Sequence, residues 1–317
     1  MGRQHKNLKY QLCQAGLSGL DNNRTVTGYK RYLKRFAVWC RENTKVKDIS
    51  EITAEVVQEY EKTLEADPKN YTPASIHKIL APVCRAVSVP MDKISKPKRR
   101  SGTIVRGRSE EANRQGKHQA EEPRFSRLVS FQKAVGIRRS ELARLTGKDL
   151  CGNYIHVTKG KGGKEQFQFI LPEDRETVRA VFAGIGPDQR VFTRDEMNNV
   201  IDLHSMRASH ARRCYSYYLQ MLENHPERIA SMRKTLLDRW EGAHERMKSQ
   251  NPKAWQRQRD KFISNMRDKP YKLRGDNRAR AISTERPTEY NRLAIMCVSV
   301  FHLSHWRTDV TVTNYML

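Results

Sequence analysis

Residues 136–150 read GIRRSELARLTGKDL, with adjacent cations at Arg138 and Arg139. Glu141 and Leu142 continue a helical pattern, so both arginines fall at a helix N-terminus, where the backbone already carries partial positive charge. Two cations at that position are electrostatically unfavourable unless an anion lies between them, which predicts a bound phosphate. The alternative is a surface arginine pair braced by Glu141.

A glycine-rich turn follows this stretch. Residues 154–158 and 166–171 alternate between apolar and polar positions like strands, and KGKGGK separates them. The glycines permit a tight turn with positive φ, so we predict a β-hairpin. Its tip carries Lys159, Lys161 and Lys164. The alternative is a solvated basic hairpin with no chemical role.

Further along, residues 202–211 begin a long predicted helix in which His204 and Arg207 share one face. An imidazole titrates near neutral pH and can accept a proton, and a guanidinium offers a planar fork of donors to a phosphate. The alternative is a histidine and an arginine that serve only packing. We predict no metal site, because His204 and His210 lack i, i+4 spacing and no carboxylate accompanies them.

The stretch 300–317, VFHLSHWRTDVTVTNYML, carries a tyrosine almost at its end. A buried helix over residues 290–301 is predicted to lead into it. Thr308 or Asp309 is expected to cap a short last helix that presents Tyr315. The alternative is that Tyr315 only docks this helix onto the core.

The overall charge of the chain indicates a polyanionic partner. The 317 residues include 60 Lys and Arg against 35 Asp and Glu, a net charge of +25. Nucleic acid is the first hypothesis and an anionic membrane surface the second. The membrane is disfavoured, because no apolar run approaches the ~20 residues of a spanning helix and the N-terminus lacks the apolar core of a signal peptide. Six scattered cysteines without CxxC spacing favour neither a zinc ribbon nor a disulfide framework, and they are expected to be reduced, intracellular and mostly structural thiols. Together with the positive charge, they predict a cytoplasmic, DNA-associated protein.

Helical patterns dominate the first part of the chain. Residues 1–23 are polar and are expected to be loosely held. Amphipathic helices are predicted over residues 29–40, over 53–64, and from Thr72-Pro73 onward. Pro82 is expected to kink or divide the last of them. These helices define a basic DNA-binding domain at residues 1–92.

The run 93–119 is dense in cations and lacks apolar periodicity. We predict a linker that lies along a phosphate backbone, with Lys98, Arg99 and Arg100 among its DNA contacts. A flexible solvated tether is the alternative.

Four stretches, taken in order, resemble the tyrosine recombinase (phage integrase) family. Gly136–Leu150 is similar to the family's first arginine box, and the hairpin with Lys161 follows it. His204-Ser-Met-Arg207 resembles the second box. Leu303-Ser304-His305, followed ten residues later by Tyr315, resembles the last boxes. The resemblance spans residues 120–317.

The resemblance implies an α+β fold that is mainly helical with a small β-hairpin. Residues 1–92 would form a helical core-binding-like domain, 93–119 the linker and 120–317 the catalytic domain. The charged segment 225–280 has no counterpart of that length in the family. We therefore expect it to be an inserted helical hairpin that contacts DNA or a neighbouring subunit, with a solvated helical arm as the alternative.

The resemblance also assigns the chemistry of strand cleavage. Arg138 and Arg207 would neutralise the phosphate oxygens, and Tyr315 would attack the phosphorus to form a 3′-phosphotyrosine. His204 would take the phenol proton, and Lys161 would protonate the departing 5′-hydroxyl. Lys159 and Lys164 are nearby substitutes for that lysine and also DNA contacts.

The remaining groups have supporting roles in this assignment. His305 would bind the phosphate, with Trp306 beside it as a competitor for that role, and Glu141 would orient the arginines. No metal or other cofactor is implied. Two departures from the family are Ala208, where the second box commonly has histidine, and Ser304, where the last box has glycine.

The implied protein is a site-specific recombinase acting in the integration or excision of a mobile element, in a bacterial cell. It would bind double-stranded DNA as a homotetramer, with accessory DNA-bending or directionality factors. Only two residues follow Tyr315, so another element, such as 225–280, is expected to supply the subunit contact. The alternatives are a non-catalytic DNA-binding protein, meaning a regulator or a decayed recombinase, and a type IB topoisomerase.

Overall fold

The chain forms two compact units, Met1–Ser101 and Gly102–Leu317. The computed structural model describes residues 7–97, 114–158, 160 and 165–317, without the side chains of Arg24 and Arg114. Six of the predicted DNA-binding and catalytic residues lie outside the described residues: Lys98, Arg99, Arg100, Lys159, Lys161 and Lys164. The predicted α+β class is confirmed, since helices dominate and the strands form small antiparallel sheets. Within the described ranges, no helix has the length and hydrophobicity needed to cross a membrane.

Four helices build the N-terminal unit: α1 Leu8–Leu17, α2 Asn23–Asn43, α3 Ala54–Glu65 and α4 Pro73–Ala86. The expectation of a loosely held N-terminus is wrong over α1, whose residues Leu8 and Leu12 are buried in the core. Gly16 lies so close to Leu33 of α2 that a Cβ would come within 2.8 Å of its side chain. The sequence did not predict α1, because Gly16 packs against α2 without adding an apolar residue to the helical pattern.

Helix α4 begins as predicted but does not break. Thr72 caps it by accepting a hydrogen bond from the Ser75 amide at 3.3 Å, and Pro73 occupies the first turn. The helix continues through Pro82 to Ala86, so the predicted division is wrong. Burial of the apolar residues on both sides of Pro82 offsets the backbone hydrogen bond that proline cannot make.

A buried carboxyl group in α3 makes the stability of the protein pH-dependent. Burial, and to a smaller extent the charge of Glu65, raise the pKa of Glu61 to about 7. An unfolded glutamate titrates near ~4.3, so between about pH 4.3 and 7 the folded chain keeps a proton that the unfolded chain has lost. The contribution of Glu61 to stability is therefore fully present below this window and falls as the pH rises through it.

Glu61→Gln should remove this dependence, because the amide cannot ionise and keeps a partner for Gln58, which donates to Glu61 Oε2 at 3.0 Å. We expect the variant to equal the wild type near pH 4.5 and to exceed it by about 1–3 kcal/mol at pH 8. Thermal unfolding of both proteins across this range measures the difference. A difference that does not change with pH contradicts the prediction.

The first part of the C-terminal unit surrounds one apolar cluster. Its helices are α5 Arg114–Glu121, α6 Ser126–Val135, α7 Arg139–Leu142, α8 Arg175–Phe182 and α9 Arg194–Met197. The predicted hairpin is present as β2 Tyr154–Val157 and β3 Gln166–Phe169, paired from Tyr154↔Phe169 to Val157↔Gln166. A short strand that was not predicted, β1 Leu150–Cys151, adds to the outer edge of β2.

The second part of this unit contains the long helix and the 225–280 segment. Its elements are α10 Leu203–Asn224, α11 Arg228–Ala243, α12 Glu245–Gln250, α13 Pro252–Ser264, β4 Tyr271–Lys272, α14 Gly275–Ser283, β5 Glu289–Tyr290, α15 Arg292–Val298 and α16 Thr308–Thr311. Two π-helical turns, Ser299–Leu303 and Val312–Met316, follow α15 and α16.

The 225–280 segment shares its core with the rest of the C-terminal unit and is not a solvated arm. Trp240, Trp255 and Phe262 belong to the same buried cluster as α15 and Tyr315. The ring of Phe262 lies 6.2 Å from that of Trp306 in the terminal stretch. The segment is thus part of the structure that supports the C-terminus.

Two adjacent leucines of α11 test this integration. Leu236 is 0% exposed, whereas Leu237 is only partly buried. Leu236→Ala should lower the free energy of unfolding by about 3 kcal/mol through lost burial and a residual cavity, and Leu237→Ala by less than half as much. Denaturant unfolding measures both values. Equal small losses of unfolding free energy in the two variants would mean that the 225–280 segment does not contribute to the core.

Candidate active site

Two arginines from separate helices meet at one carbonyl oxygen. Arg138 immediately precedes α7 and donates from Nη2 to the Leu303 carbonyl at 3.3 Å. Arg207, on α10, donates from Nη2 to the same oxygen at 2.9 Å, and from Nη1 to the Gly136 carbonyl. The first box, the second box and the terminal stretch are therefore joined at this point.

Local structure fixes the direction of Arg138. Gly136 ends α6 with φ of +58°, and a Cβ there would lie 2.8 Å from the His210 ring, so glycine is required. Glu141 is buried, accepts a hydrogen bond from the Arg138 amide at 2.9 Å, and pairs with Arg138 Nη1 at 2.7 Å. Its predicted role of orienting an arginine agrees with these contacts.

Arg139 has a different function from its neighbour. Its guanidinium donates to the Ile201 carbonyl at 2.6 Å and to Asn199 Oδ1 at 2.8 Å. The prediction that both arginines surround one anion is therefore wrong for Arg139, because these loop groups occupy its donors. Only Arg138 of the pair reaches the Leu303 carbonyl.

Arg207 is a buried cation. It is 1% exposed, and its Nε has no hydrogen-bond partner among the described residues. Burial lowers the pKa of its guanidinium, the Tyr315 phenol opposes that shift, and Arg138 adds to it. An arginine remains charged even so. A buried, incompletely paired cation would be stabilised by an anionic ligand.

The Tyr315 phenol faces this cation and both predicted histidines. Its hydroxyl lies 2.9 Å from His305 Nε2, and its ring centre lies 5.7 Å from Arg207 Cζ. The rings of Tyr315 and His204 are 5.5 Å apart. The side chain of Tyr315 is 4% exposed. The sequence assigned the phenol proton to His204, and in the structure the His305 imidazole also lies within hydrogen-bond distance of the phenol.

The last turns place Tyr315 through an unusual backbone. The π-helical turn Ser299–Leu303 ends at Ser304, whose φ is +51°, and the His305 amide donates to the Ser299 carbonyl at 3.0 Å. Helix α16 begins after Arg307 with no side-chain cap, so the predicted cap at Thr308 or Asp309 is wrong. The Asp309 carboxylate instead pairs with the Arg307 guanidinium.

Ser304→Gly should stabilise the protein. The left-handed backbone costs a residue with a Cβ about 1–2 kcal/mol, which exceeds the about 0.5–1 kcal/mol of extra freedom that glycine loses on folding. We expect the free energy of unfolding to rise by about 0.5–1 kcal/mol. Ser231→Gly, on an exposed face of α11, should lower it by about 0.5 kcal/mol. Denaturant unfolding compares the two, and a loss of stability in both variants contradicts the prediction.

Three side chains hold the backbone that carries the phenol. Arg212 of α10 donates to the Tyr315 carbonyl at 3.1 Å. Arg286 donates to the Met316 carbonyl at 3.1 Å, and the Tyr290 hydroxyl donates to the same oxygen at 3.5 Å. Carbonyls in the last turn of a helix lack partners within the helix, so these donors fix its position.

An open groove adjoins the site. It encloses about 860 Å³, and Arg138, Arg139 and His204 are among its lining residues. Trp306, the predicted competitor of His305, lies elsewhere, with its ring 6.0 Å from His244. His305 therefore occupies the position beside the phenol, and the groove offers an approach to Arg138 and His204.

The sequence analysis missed a buried polar cluster beneath this site. His210, Cys214 and His302 are buried, and their donor atoms all lie within 4.8 Å of one another. Only the i, i+4 spacing of His210 and Cys214 was visible in the sequence, because His302 is 92 residues away from His210. The prediction of no metal site rested on the spacing between His204 and His210 and did not consider the spacing between His210 and Cys214.

The structure brings together six of the predicted site residues from three segments of the chain. They are Arg138, Glu141, His204, Arg207, His305 and Tyr315. Lys161 lies outside the described residues. The arrangement combines two cations, two imidazoles and a phenol, a set suited to neutralising a phosphodiester and attacking it.

The likeness of this chain to known proteins is distant. No protein-family model matches the chain, and no curated protein matches it. Among solved structures, it is similar to the crystal structure of XerA recombinase, with 17% sequence identity over 64% of this chain and 82% of that chain and a TM-score of 0.24. The function proposed below therefore rests on the side chains described above.

Proposed function

We propose that this protein cleaves and rejoins DNA strands through a covalent phosphotyrosine intermediate, as a site-specific recombinase. The observation that carries the proposal is the convergence of Arg138, Arg207 and Tyr315 from distant parts of the chain. A tyrosine that serves only packing does not require an imidazole within hydrogen-bond distance of its hydroxyl and a buried guanidinium facing its ring.

In the proposed reaction, the Tyr315 oxygen attacks phosphorus, the phosphotyrosine bond forms at the 3′ side, and the bond to the 5′-oxygen breaks. Arg138 and Arg207 offset the negative charge that develops on the non-bridging oxygens. His305, at 2.9 Å, accepts the phenol proton, and His204 contacts the phosphate beside it. We assign protonation of the leaving 5′-hydroxyl to Lys161. Because a phosphodiester replaces a phosphodiester, rejoining requires no external energy source.

The partner is double-stranded DNA, and the bulk charge supports that choice. A net charge of +25 favours a polyanion, and binding should weaken steeply as salt displaces the phosphate contacts. Exchange of strands between two duplexes requires several active sites, so we propose a homotetramer on DNA. Integration or excision of a mobile element is the biological outcome that this chemistry would serve.

Covalent trapping tests the proposal. Duplexes are first enriched from a randomised pool by binding to the protein, and a nick is then placed so that the cleaved fragment diffuses away. The protein should form a denaturant-resistant adduct, and peptide mapping should find the nucleotide on Tyr315. Tight, salt-sensitive binding without any adduct would favour the non-catalytic DNA-binding alternative. An adduct with relaxation of supercoiled plasmid but no strand exchange would favour a topoisomerase.

A further inference from the structure

A second site lies in the core of the C-terminal unit. Cys214 Sγ lies 3.3 Å from His210 Nε2, and His302 Nδ1 lies 3.2 Å from the same nitrogen. His210 and Cys214 are one turn apart on α10, and His302 comes from the π-helical turn Ser299–Leu303. We propose that Cys214, His210 and His302 bind a thiophilic d¹⁰ metal cation.

The spacing of the three donor atoms fits such an ion. Metal–nitrogen bonds of about 2.0–2.1 Å and metal–sulfur bonds of about 2.3 Å place neighbouring ligand atoms roughly 3.3–3.8 Å apart. The distances from His210 Nε2 to His302 Nδ1 and to Cys214 Sγ, 3.2 and 3.3 Å, are at the short end of this range, and the third pair is within 4.8 Å. Movements of a few tenths of an ångström would complete the geometry.

Hydrogen bonds alone do not satisfy the polar atoms of this cluster well. A neutral imidazole nitrogen offers either one N–H or one lone pair, yet His210 Nε2 faces both a thiol and a second imidazole nitrogen. Both rings are buried in an apolar core, which disfavours their charged form. Neutral imidazoles are the form that binds metals.

One neighbour already orients a ligand. The Tyr218 hydroxyl lies 3.0 Å from His302 Nε2, the nitrogen that points away from the cluster. A hydrogen bond at the outer nitrogen fixes the ring and leaves Nδ1 available as the ligand atom. His210 Nδ1 has no hydrogen-bond partner among the described residues.

Charge favours a monovalent ion. The Cys214 thiol is buried, so the metal must displace its proton, which leaves to solvent. The resulting thiolate and two neutral rings carry one negative charge, which Cu⁺ neutralises. Zn²⁺ would leave a buried positive charge on the same helix as the buried cation Arg207. Soft thiolate ligands also suit Cu⁺.

Metal content tests the proposal in two arms. Full-length protein is produced with added copper or zinc, refolded anaerobically with Cu⁺ or Zn²⁺, and passed over a chelator before elemental analysis. Cys214→Ser is compared with Cys297→Ser, which alters another buried free cysteine outside the cluster. We expect about one Cu⁺ per wild-type and Cys297→Ser chain, and at least about fivefold less in Cys214→Ser.

Each outcome of the metal analysis supports or overturns part of the proposal. Retention of Zn²⁺ in place of Cu⁺ upholds the site and overturns the choice of ion. Loss of both metals from the wild type, or equal retention by Cys214→Ser, overturns the site. If Cys214→Ser does not fold, X-ray absorption of the loaded wild type decides instead: one sulfur and two imidazole nitrogens are expected, and any other ligand set overturns the proposal.

Discussion

Tyr315→Phe should abolish covalent attachment to DNA while leaving DNA binding within about twofold of wild type. The substitution removes only the hydroxyl that lies 2.9 Å from His305 and keeps the ring that faces Arg207. Loss of the nucleophile should reduce strand cleavage by on the order of 10⁴-fold or more. Adduct formation on the nicked duplexes and equilibrium binding to intact duplexes measure the two effects.

Tyr290→Phe provides the matched control. Tyr290 is also buried, and its hydroxyl donates to the Met316 carbonyl at 3.5 Å, so it borders the terminal turn without entering the proposed reaction. This variant should still form adducts, because Arg286 continues to hold the Met316 carbonyl at 3.1 Å. Adducts formed by Tyr315→Phe at the wild-type rate would exclude Tyr315 as the nucleophile and leave its contacts with a packing role.

Arg207→Lys should slow strand cleavage by about 10²–10³-fold even though the charge is retained. The guanidinium spans the Gly136 and Leu303 carbonyls and faces Tyr315. An ammonium is a point charge and cannot hold both carbonyls while presenting donors to a phosphate. Single-turnover cleavage with saturating protein isolates this loss from any change in binding.

Arg213→Lys, on the same helix, is the control for that substitution. Arg213 pairs with Asp174 and donates to the Lys133 carbonyl at 3.1 Å, away from the phenol. Replacing Arg213 should lower the free energy of unfolding and leave the single-turnover rate of strand cleavage within about threefold of wild type. Similar rate losses in both variants would assign the effect on Arg207 to a general weakening of α10.

Local rules predicted the elements that carry the site. Asp202 accepts hydrogen bonds from the His204 and Ser205 amides at 3.1 Å each, so a short motif fixed the start of α10. Once that start is known, i, i+3 spacing places His204 and Arg207 on one face. The glycine-rich hairpin was likewise readable from alternation and turn residues.

Contacts between distant segments could not be predicted in the same way. The burial of Arg207 depends on the Leu303 carbonyl, 96 residues away. The contacts of Arg139 depend on a loop near Asn199, and the pairing of Tyr315 with His305 depends on the backbone at Ser304. Each of these is set by tertiary packing, for which the local pattern carries no signal.

The hydrogen bond from Arg286 to the Met316 carbonyl has a further consequence. Arg286 follows closely after α14, so the placement of the phenol depends on how firmly that distant helix is seated. A substitution that loosens α14 is expected to slow the breaking of a DNA strand without altering any reacting group. Activity would then report on the integrity of a region that contributes no reacting group.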